Sequence, residues 1–258
     1  MSYLEKLAVR TQAKKTFVCV GLDVDLDKLS ARFKTESDPI FAFNKYIIDQ
    51  TKDFTAAYKP NMAFYEMYGL KGLQSLYKTM DYIPKEIPVV LDAKRGDIGN
   101  TSKAYAKAAF EDFKADAITL SPYMGVDSVS PFLEYADKFA YLLCLTSNKG
   151  SADFQKPDLY KKVAKKINEW NTQYKNCGAV VGATNDTEIA ELRAIMTTAQ
   201  FLIPGVGAQG GDLEKTVRRA ATVTKEGFLI NSSRGIIYAE NPAAEAEKLM
   251  REINAVLG

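Results

Sequence analysis

The sequence predicts a (β/α)8 TIM barrel, and three observations carry the prediction. Short apolar runs suited to strands recur eight times, amphipathic stretches with three- and four-residue apolar spacing lie between them, and no linker or low-complexity tract divides the 258 residues. Strands that alternate with helices pair in parallel. Eight such units in about this length suit a closed barrel better than an open doubly wound sheet. Residues 1–258 are therefore expected to form a single α/β domain, with 47% apolar residues to fill one large core.

The opening stretch MSYLEKLAVRTQAKK sets Leu4, Leu7 and Val9 at helical spacing, which predicts a short N-terminal helix over about 2–14. It has no apolar segment long enough for a signal peptide or membrane anchor. The first strand run, TFVCVGLDV (16–24), closes on Asp23, with Asp25 just beyond. The second, FTAAYKPNM (54–62), carries Lys59, and the third, PVVLDAK (88–94), carries Asp92 and Lys94. A helical stretch, SKAYAKAAFEDFK (102–114), leads to the fourth run, AITLSP (117–122). The fifth, FAYLLCLT (139–146), ends at Thr146 and Ser147 and opens the longest polar interruption, SNKGSADFQKPDL (147–159), where a lid over the barrel mouth is expected. The runs CGAVVGA (177–183), QFLIPGV (200–206) and GFLINSS (227–233) complete the set, and NPAAEAEKLMREINAV (241–256) is the last helix.

Composition removes whole classes of function. Lys plus Arg number 34 against 32 for Asp plus Glu, and a net charge of +2 leaves no electrostatic footprint for nucleic acid or an anionic membrane. The three cysteines are widely spaced, with Cys19 and Cys144 inside apolar runs, which reads as buried thiols in a cytoplasmic protein and as neither disulfides nor a metal site. There is no histidine, so proton chemistry falls to Lys, Asp, Glu, Tyr or Cys.

In such a barrel the active site lies at the C-terminal strand ends, so the polar residues that close each run are the candidates. In VVLDAKRGDIGNT, Asp92 and Lys94 stand two apart, hence on one face of a regular strand, and Asp97 follows in the spacing D-x-K-x-x-D. A salt-bridged strand end is the bland alternative, but inward-pointing ions are costly when they serve stability alone. The seventh run continues as PGVGAQGGD, which contains G-x-G-x-x-G at Gly205, Gly207 and Gly210. A dinucleotide fold would place that loop after its first strand. After the seventh strand, with Arg234 closing the eighth, it matches the phosphate site that barrels build there, against the alternative of a plain Gly-rich connection.

In VVLDAKRGDIGNT, PGVGAQGGD and SSRGIIYAENPA, the chain resembles the orotidine 5′-monophosphate decarboxylase family nearly end to end and in the same order. The resemblance implies cofactor-free and metal-free loss of CO2 from orotidine 5′-monophosphate (OMP) to give uridine 5′-monophosphate (UMP). It implies Lys94 as proton donor to the pyrimidine C6, Asp92 beside the departing carboxylate, and Lys59 and Asp97 completing an alternating chain of charges. It further implies that Asp23 holds a ribose hydroxyl, Ser147 reads the ring edge, Pro204 packs on the base, and Gln209 and Arg234 grip the phosphate. Asp97, Ile98 and Thr101 would serve the neighbouring site of a homodimer. Other branches carry Gly where this chain has Ser233, and the Arg95–Gly96 spacer marks one branch.

Two other readings compete. A related group of barrels, the Mg2+-dependent sugar-phosphate decarboxylases and aldolases such as ketogulonate phosphate decarboxylase and hexulose phosphate synthase, also carries D-x-K-x-x-D. That group has a metal-binding Glu at the position of Lys59 and uses a histidine, which this chain lacks. A catalytically silent phosphate-binding barrel would have no reason to keep Lys59, Asp92, Lys94, Asp97, Gln209 and Arg234 together.

Overall fold

A computed structural model of the chain describes residues 1–206 and 211–258. Strands β1 (Val18–Gly21), β2 (Ala57–Lys59), β3 (Val90–Arg95), β4 (Ala117–Leu120), β5 (Phe139–Leu145), β6 (Cys177–Val181), β7 (Phe201–Pro204) and β8 (Phe228–Ser232) pair in parallel, in the order β2-β1-β8-β7-β6-β5-β4-β3. The two ends of that sheet meet: Tyr58 N–H donates to the Pro88 carbonyl at 3.0 Å, Asp92 N–H to Pro60 at 2.9 Å, and Met62 N–H to Asp92 at 3.0 Å. The sheet thereby curls into the expected barrel, each predicted run supplying one strand. β2 is far shorter than its run because Pro60 has no N–H to continue the ladder.

Local chemistry starts the helices. Ser2 and Glu5 form a capping box ahead of Tyr3–Lys14. Asp38 and Asn241 cap helices Pro39–Thr51 and Pro242–Leu257, each with proline in the first turn, where its missing N–H costs nothing. The expected N-terminal helix spans Tyr3–Lys14; Leu4 and Val9 lie exposed, and its buried face is Tyr3, Leu7 and Arg10. That face closes the barrel floor, where Tyr3 Oη meets Tyr141 Oη at 2.7 Å and the Tyr3 ring lies 5.0 Å from Phe139. Arg10 Nε donates to the Thr55 carbonyl at 3.0 Å, holding the chain that enters β2.

Two buried apolar layers result. The larger lies between the strands and the surrounding helices, and the smaller fills the barrel with Cys19, Ala57, Val90, Ala117, Phe139, Tyr141, Leu202 and Leu229 above Tyr3 and Leu7. Side chains on a strand alternate between faces. One step of two residues up from Ala57, Val90, Ala117, Leu202 and Leu229, the inward positions are Lys59, Asp92, Thr119, Pro204 and Asn231. The apolar filling thus gives way to a polar layer at the C-terminal mouth.

Candidate active site

The third strand departs from regular geometry where its chemistry begins. Leu91 pairs with Ile118 and Arg95 with Leu120, so Asp92, Ala93 and Lys94 together face Thr119 alone. Lys94 has φ +46°, in the left-handed region that L-residues disfavour, and is so within a strand instead of a turn. Asp92 and Lys94 therefore meet through a bulge, and not through the unbroken pleat that their spacing suggested. Lys94 N–H donates to Thr119 Oγ1 at 3.0 Å, and Thr119 Oγ1 donates to Asp92 Oδ1 at 2.8 Å.

Asp92 sits between two ammonium groups. Lys59 Nζ lies 2.8 Å from Oδ2 and Lys94 Nζ 2.7 Å from Oδ1. The Lys59 and Asp92 side chains are 5% and 9% exposed, whereas that of Lys94 is 49% exposed. Burial opposes charge on Asp92, but Lys59 and Lys94 outweigh it and hold the carboxyl well below the usual carboxylate range. Burial likewise opposes charge on Lys59, and Asp92 followed by Asp23 raises its pKa above that of a free lysine. Both groups are ionised at neutral pH. Beneath them Cys19 is pushed up to about 12 by burial, so its thiol stays protonated and inert.

A cavity of about 270 Å3 opens above this array, lined by Asp23, Lys59, Asp92, Pro204, Asn231 and Arg234 among others. Asp23 Oδ1, Asn231 Oδ1 and Ser233 Oγ are buried there without a hydrogen-bond partner among the described residues. Unsatisfied polar atoms grouped at a mouth suit a polar ligand that would satisfy them. A larger cavity, about 340 Å3, lies at the other end of the barrel between the N-terminal helix and the turns that enter β7 and β8. Its lining is mostly Thr and apolar, with Glu226 its one ionisable member, so it lacks the means for the same chemistry.

The remaining candidates are placed elsewhere or outside the described residues. Asp97 is half-buried, and its Oδ1 accepts from Ile98 N–H at 2.8 Å; Ile98 and Thr101 are exposed. Ser147 lines an adjoining cavity with Asn148, Lys149, Lys156, Thr184 and Asn185. The irregular pairing of β5 with β6 between Leu143 and Leu145 precedes it, and Gly182 lets it approach, since a Cβ there would lie 2.5 Å from Ser147 N. Asp25 does not join the mouth: it caps the turn Leu26–Lys28 and pairs with Lys28 at 3.2 Å. Gln209, with Gly207 and Gly210, falls outside the described residues. In the expected lid, Ser151–Phe154 forms a helical turn, and Gln155 Oε1 accepts from Thr146 N–H at 2.7 Å, tying the segment to the end of β5. No motif marks Thr119, Asn61 or Asn231 in the sequence, although counting by two from Ala117 and Leu229 places the first and last on the inward face.

Comparison with known proteins agrees in sequence and shape. The model of the orotidine 5′-phosphate decarboxylase / HUMPS family matches residues 16–249. The orotidine 5′-phosphate decarboxylase of Christiangramia forsetii is 49% identical over 251 residues, 94% of this chain and 92% of that one. That of Bacteroides fragilis (strain YCH46) is 47% identical over 261 residues, 96% and 94%. The solved Leishmania donovani OMP decarboxylase superposes with a TM-score of 0.90 at 41% identity, covering 100% of this chain and 99% of that one. With a barrel mouth that holds the Lys59–Asp92–Lys94 array, and with relatives that match along almost its whole length, the chain belongs to the orotidine 5′-phosphate decarboxylase / HUMPS family.

Proposed function

We propose that residues 1–258 act as one carboxy-lyase unit that converts OMP to UMP without a cofactor. The observation that carries this reading is the carboxylate of Asp92 held between two ammonium groups at the rim of a cavity that also receives Arg234. In the reaction the C6–carboxylate bond breaks, CO2 leaves, and the electron pair remains on C6 in the plane of the ring. The ammonium of Lys94 stabilises that pair and then transfers a proton to C6, and the neutral amine regains its proton from solvent. A charge fixed before substrate binds costs no reorganisation as the carbanion forms. Enzymes lower barriers by roughly 8–23 kcal/mol, and a carbanion with no electron sink calls for the upper part of that range. Asp92, beside the departing carboxylate, disfavours the substrate's charge while its Oδ1 holds the Lys94 ammonium at 2.7 Å.

Arg234 and Gln209 would hold the phosphate, Asp23 a ribose hydroxyl, Pro204 the face of the base and Ser147 its edge. Binding energy gathered at the remote phosphate can then be used to close the mouth over the ring. Asp97, Ile98 and Thr101 would reach the site of a second copy in a homodimer. Supporting this, Ile98, Tyr105, Tyr123, Met124 and Val126 are exposed on or beside the packed helices Gly99–Lys107 and Val126–Leu133. Among the described residues no helix is long and apolar enough to cross a membrane. The three buried free cysteines support a cytoplasmic location. Asp92, already bracketed by two ammonium groups, offers a repulsive setting for Mg2+, which disfavours the metal-dependent branch of the family. Loss of OMP absorbance in the presence of EDTA tests the reading: undiminished turnover supports it, and turnover that requires added Mg2+ refutes it.

A further inference from the structure

Thr119 is 1% exposed and is the one β4 residue opposite the irregular stretch of β3. In a regular parallel ladder one residue would stand across from it, but here Asp92, Ala93 and Lys94 do. The bulge takes the Lys94 N–H out of register with the β4 carbonyls, and the Thr119 hydroxyl accepts it instead, at 3.0 Å. The hydroxyl has one proton, and it goes to Asp92 Oδ1 at 2.8 Å. These directions are forced, because a backbone N–H can only donate and an ionised carboxylate can only accept. One side-chain oxygen therefore ties the backbone of the residue that carries the ammonium to the carboxylate oxygen that the ammonium faces at 2.7 Å.

We propose that Thr119 is a positioning residue for decarboxylation, its hydroxyl holding the Lys94 backbone in its left-handed conformation and fixing Asp92 Oδ1 so that the ammonium is aimed before substrate arrives. The inference rests on the decarboxylase reading above. The Lys94 side chain is half-exposed and has four rotatable bonds, so its aim depends on two anchors, the direction of its Cα–Cβ bond and the position of Oδ1. Thr119 sets both. Lys59 holds the other carboxylate oxygen and does not touch the Lys94 backbone, so it cannot replace Thr119. A threonine that merely satisfied a buried N–H would affect stability alone.

Thr119→Val keeps the shape and removes the hydroxyl, and Thr119→Ser keeps the hydroxyl. The measurements are kcat and KM for OMP, the Kd of UMP, and thermal unfolding, for the wild-type chain and both variants. A misplacement of about 1 Å can lower a rate by roughly 100-fold, so the valine variant is expected to lose about 10- to 100-fold in kcat. KM and the UMP Kd, set by phosphate and ribose contacts away from the bulge, stay within about threefold, and serine restores kcat to within about threefold. Full kcat in the valine variant, equal losses in both variants, or a loss matched by weaker UMP binding overturns the inference. Should the valine variant fail to fold, Thr119→Cys replaces it, because a thiol of similar size is a weak donor and must lose kcat where serine does not. A wild-type chain that leaves OMP intact overturns the functional reading and the inference with it. An active wild type with a fully active valine variant overturns the inference alone.

Discussion

Replacing Lys59 by methionine removes a buried charge while keeping most of the side chain's volume, and it separates the structural from the catalytic role of the charge array. The Lys59–Asp92 contact is 2.8 Å with both side chains under a tenth exposed. At that distance the gross attraction is about 6 kcal/mol in an effective dielectric of about 20, and desolvation of both ions cancels part of it. Removing one partner of a buried pair costs about 3–5 kcal/mol. Lys94 and Thr119 still hold Asp92 Oδ1, so Lys59→Met should cost about 3 kcal/mol, near the lower end of that range. For a chain of this size that is a fall of about 6–12 °C in Tm. The pH dependence has a definite sign. The folded-state pKa of Asp92 is depressed, so its contribution is present above the unfolded value of about 3.9 and is lost as pH falls through the lower folded value. The folded-state pKa of Lys59 is raised, so its contribution is complete below about 10.4 and is lost as pH rises through the higher folded value. Urea unfolding should therefore show a constant gap between wild type and variant from about pH 5 to 9, narrowing below about pH 4. Adding Asp92→Asn should restore at least about 1 kcal/mol of stability, since the buried charge whose Oδ2 lost its ammonium partner is gone, without restoring turnover. A cost under about 1 kcal/mol for Lys59→Met, the value of an exposed pair, would refute the reasoning.

Three further outcomes follow from the same geometry. Arg234→Ala should lower kcat/KM by roughly 10- to 150-fold, the equivalent of about 1.5–3 kcal/mol of charged hydrogen bonds; an unchanged value removes Arg234 from the phosphate grip. Gly182→Ala would press a Cβ to 2.5 Å from Ser147 N and 2.7 Å from its Cα, and should cost about 1–3 kcal/mol in urea unfolding while raising KM for OMP. Tyr123→Glu with Met124→Glu should weaken the proposed homodimer at least about tenfold in sedimentation velocity, each glutamate facing desolvation in an apolar contact. A wild type that is monomeric at high micromolar concentration contradicts that proposal.

The barrel was legible because each strand run is short, apolar and bounded by an amphipathic stretch, a pattern set by residues close in sequence. Lys59, Asp92 and Lys94 were legible as charges at strand ends, where a packed barrel has no structural need for them. What the sequence did not reveal depends on partners far along the chain. The bulge in β3 and the left-handed Lys94 come from pairing with β4, and Thr119 was hidden inside a run read for its apolar content. Asn231 was hidden in the same way on β8, although its parity with Leu229 places it inward. Ser147 lies over an adjoining cavity after a register shift in β5 that no local pattern encodes. Leu4 and Val9 face outward because the N-terminal helix meets the barrel floor along a narrow stripe centred on Tyr3 and Leu7.

The most direct test of the central claim is turnover of OMP by Lys94→Ala, followed by absorbance, with UMP binding measured calorimetrically on the same sample. If the ammonium of Lys94 both stabilises the developing carbanion and protonates it, turnover falls by more than about a thousandfold while UMP still binds within about tenfold of wild type. Turnover close to that of the wild type would contradict the account.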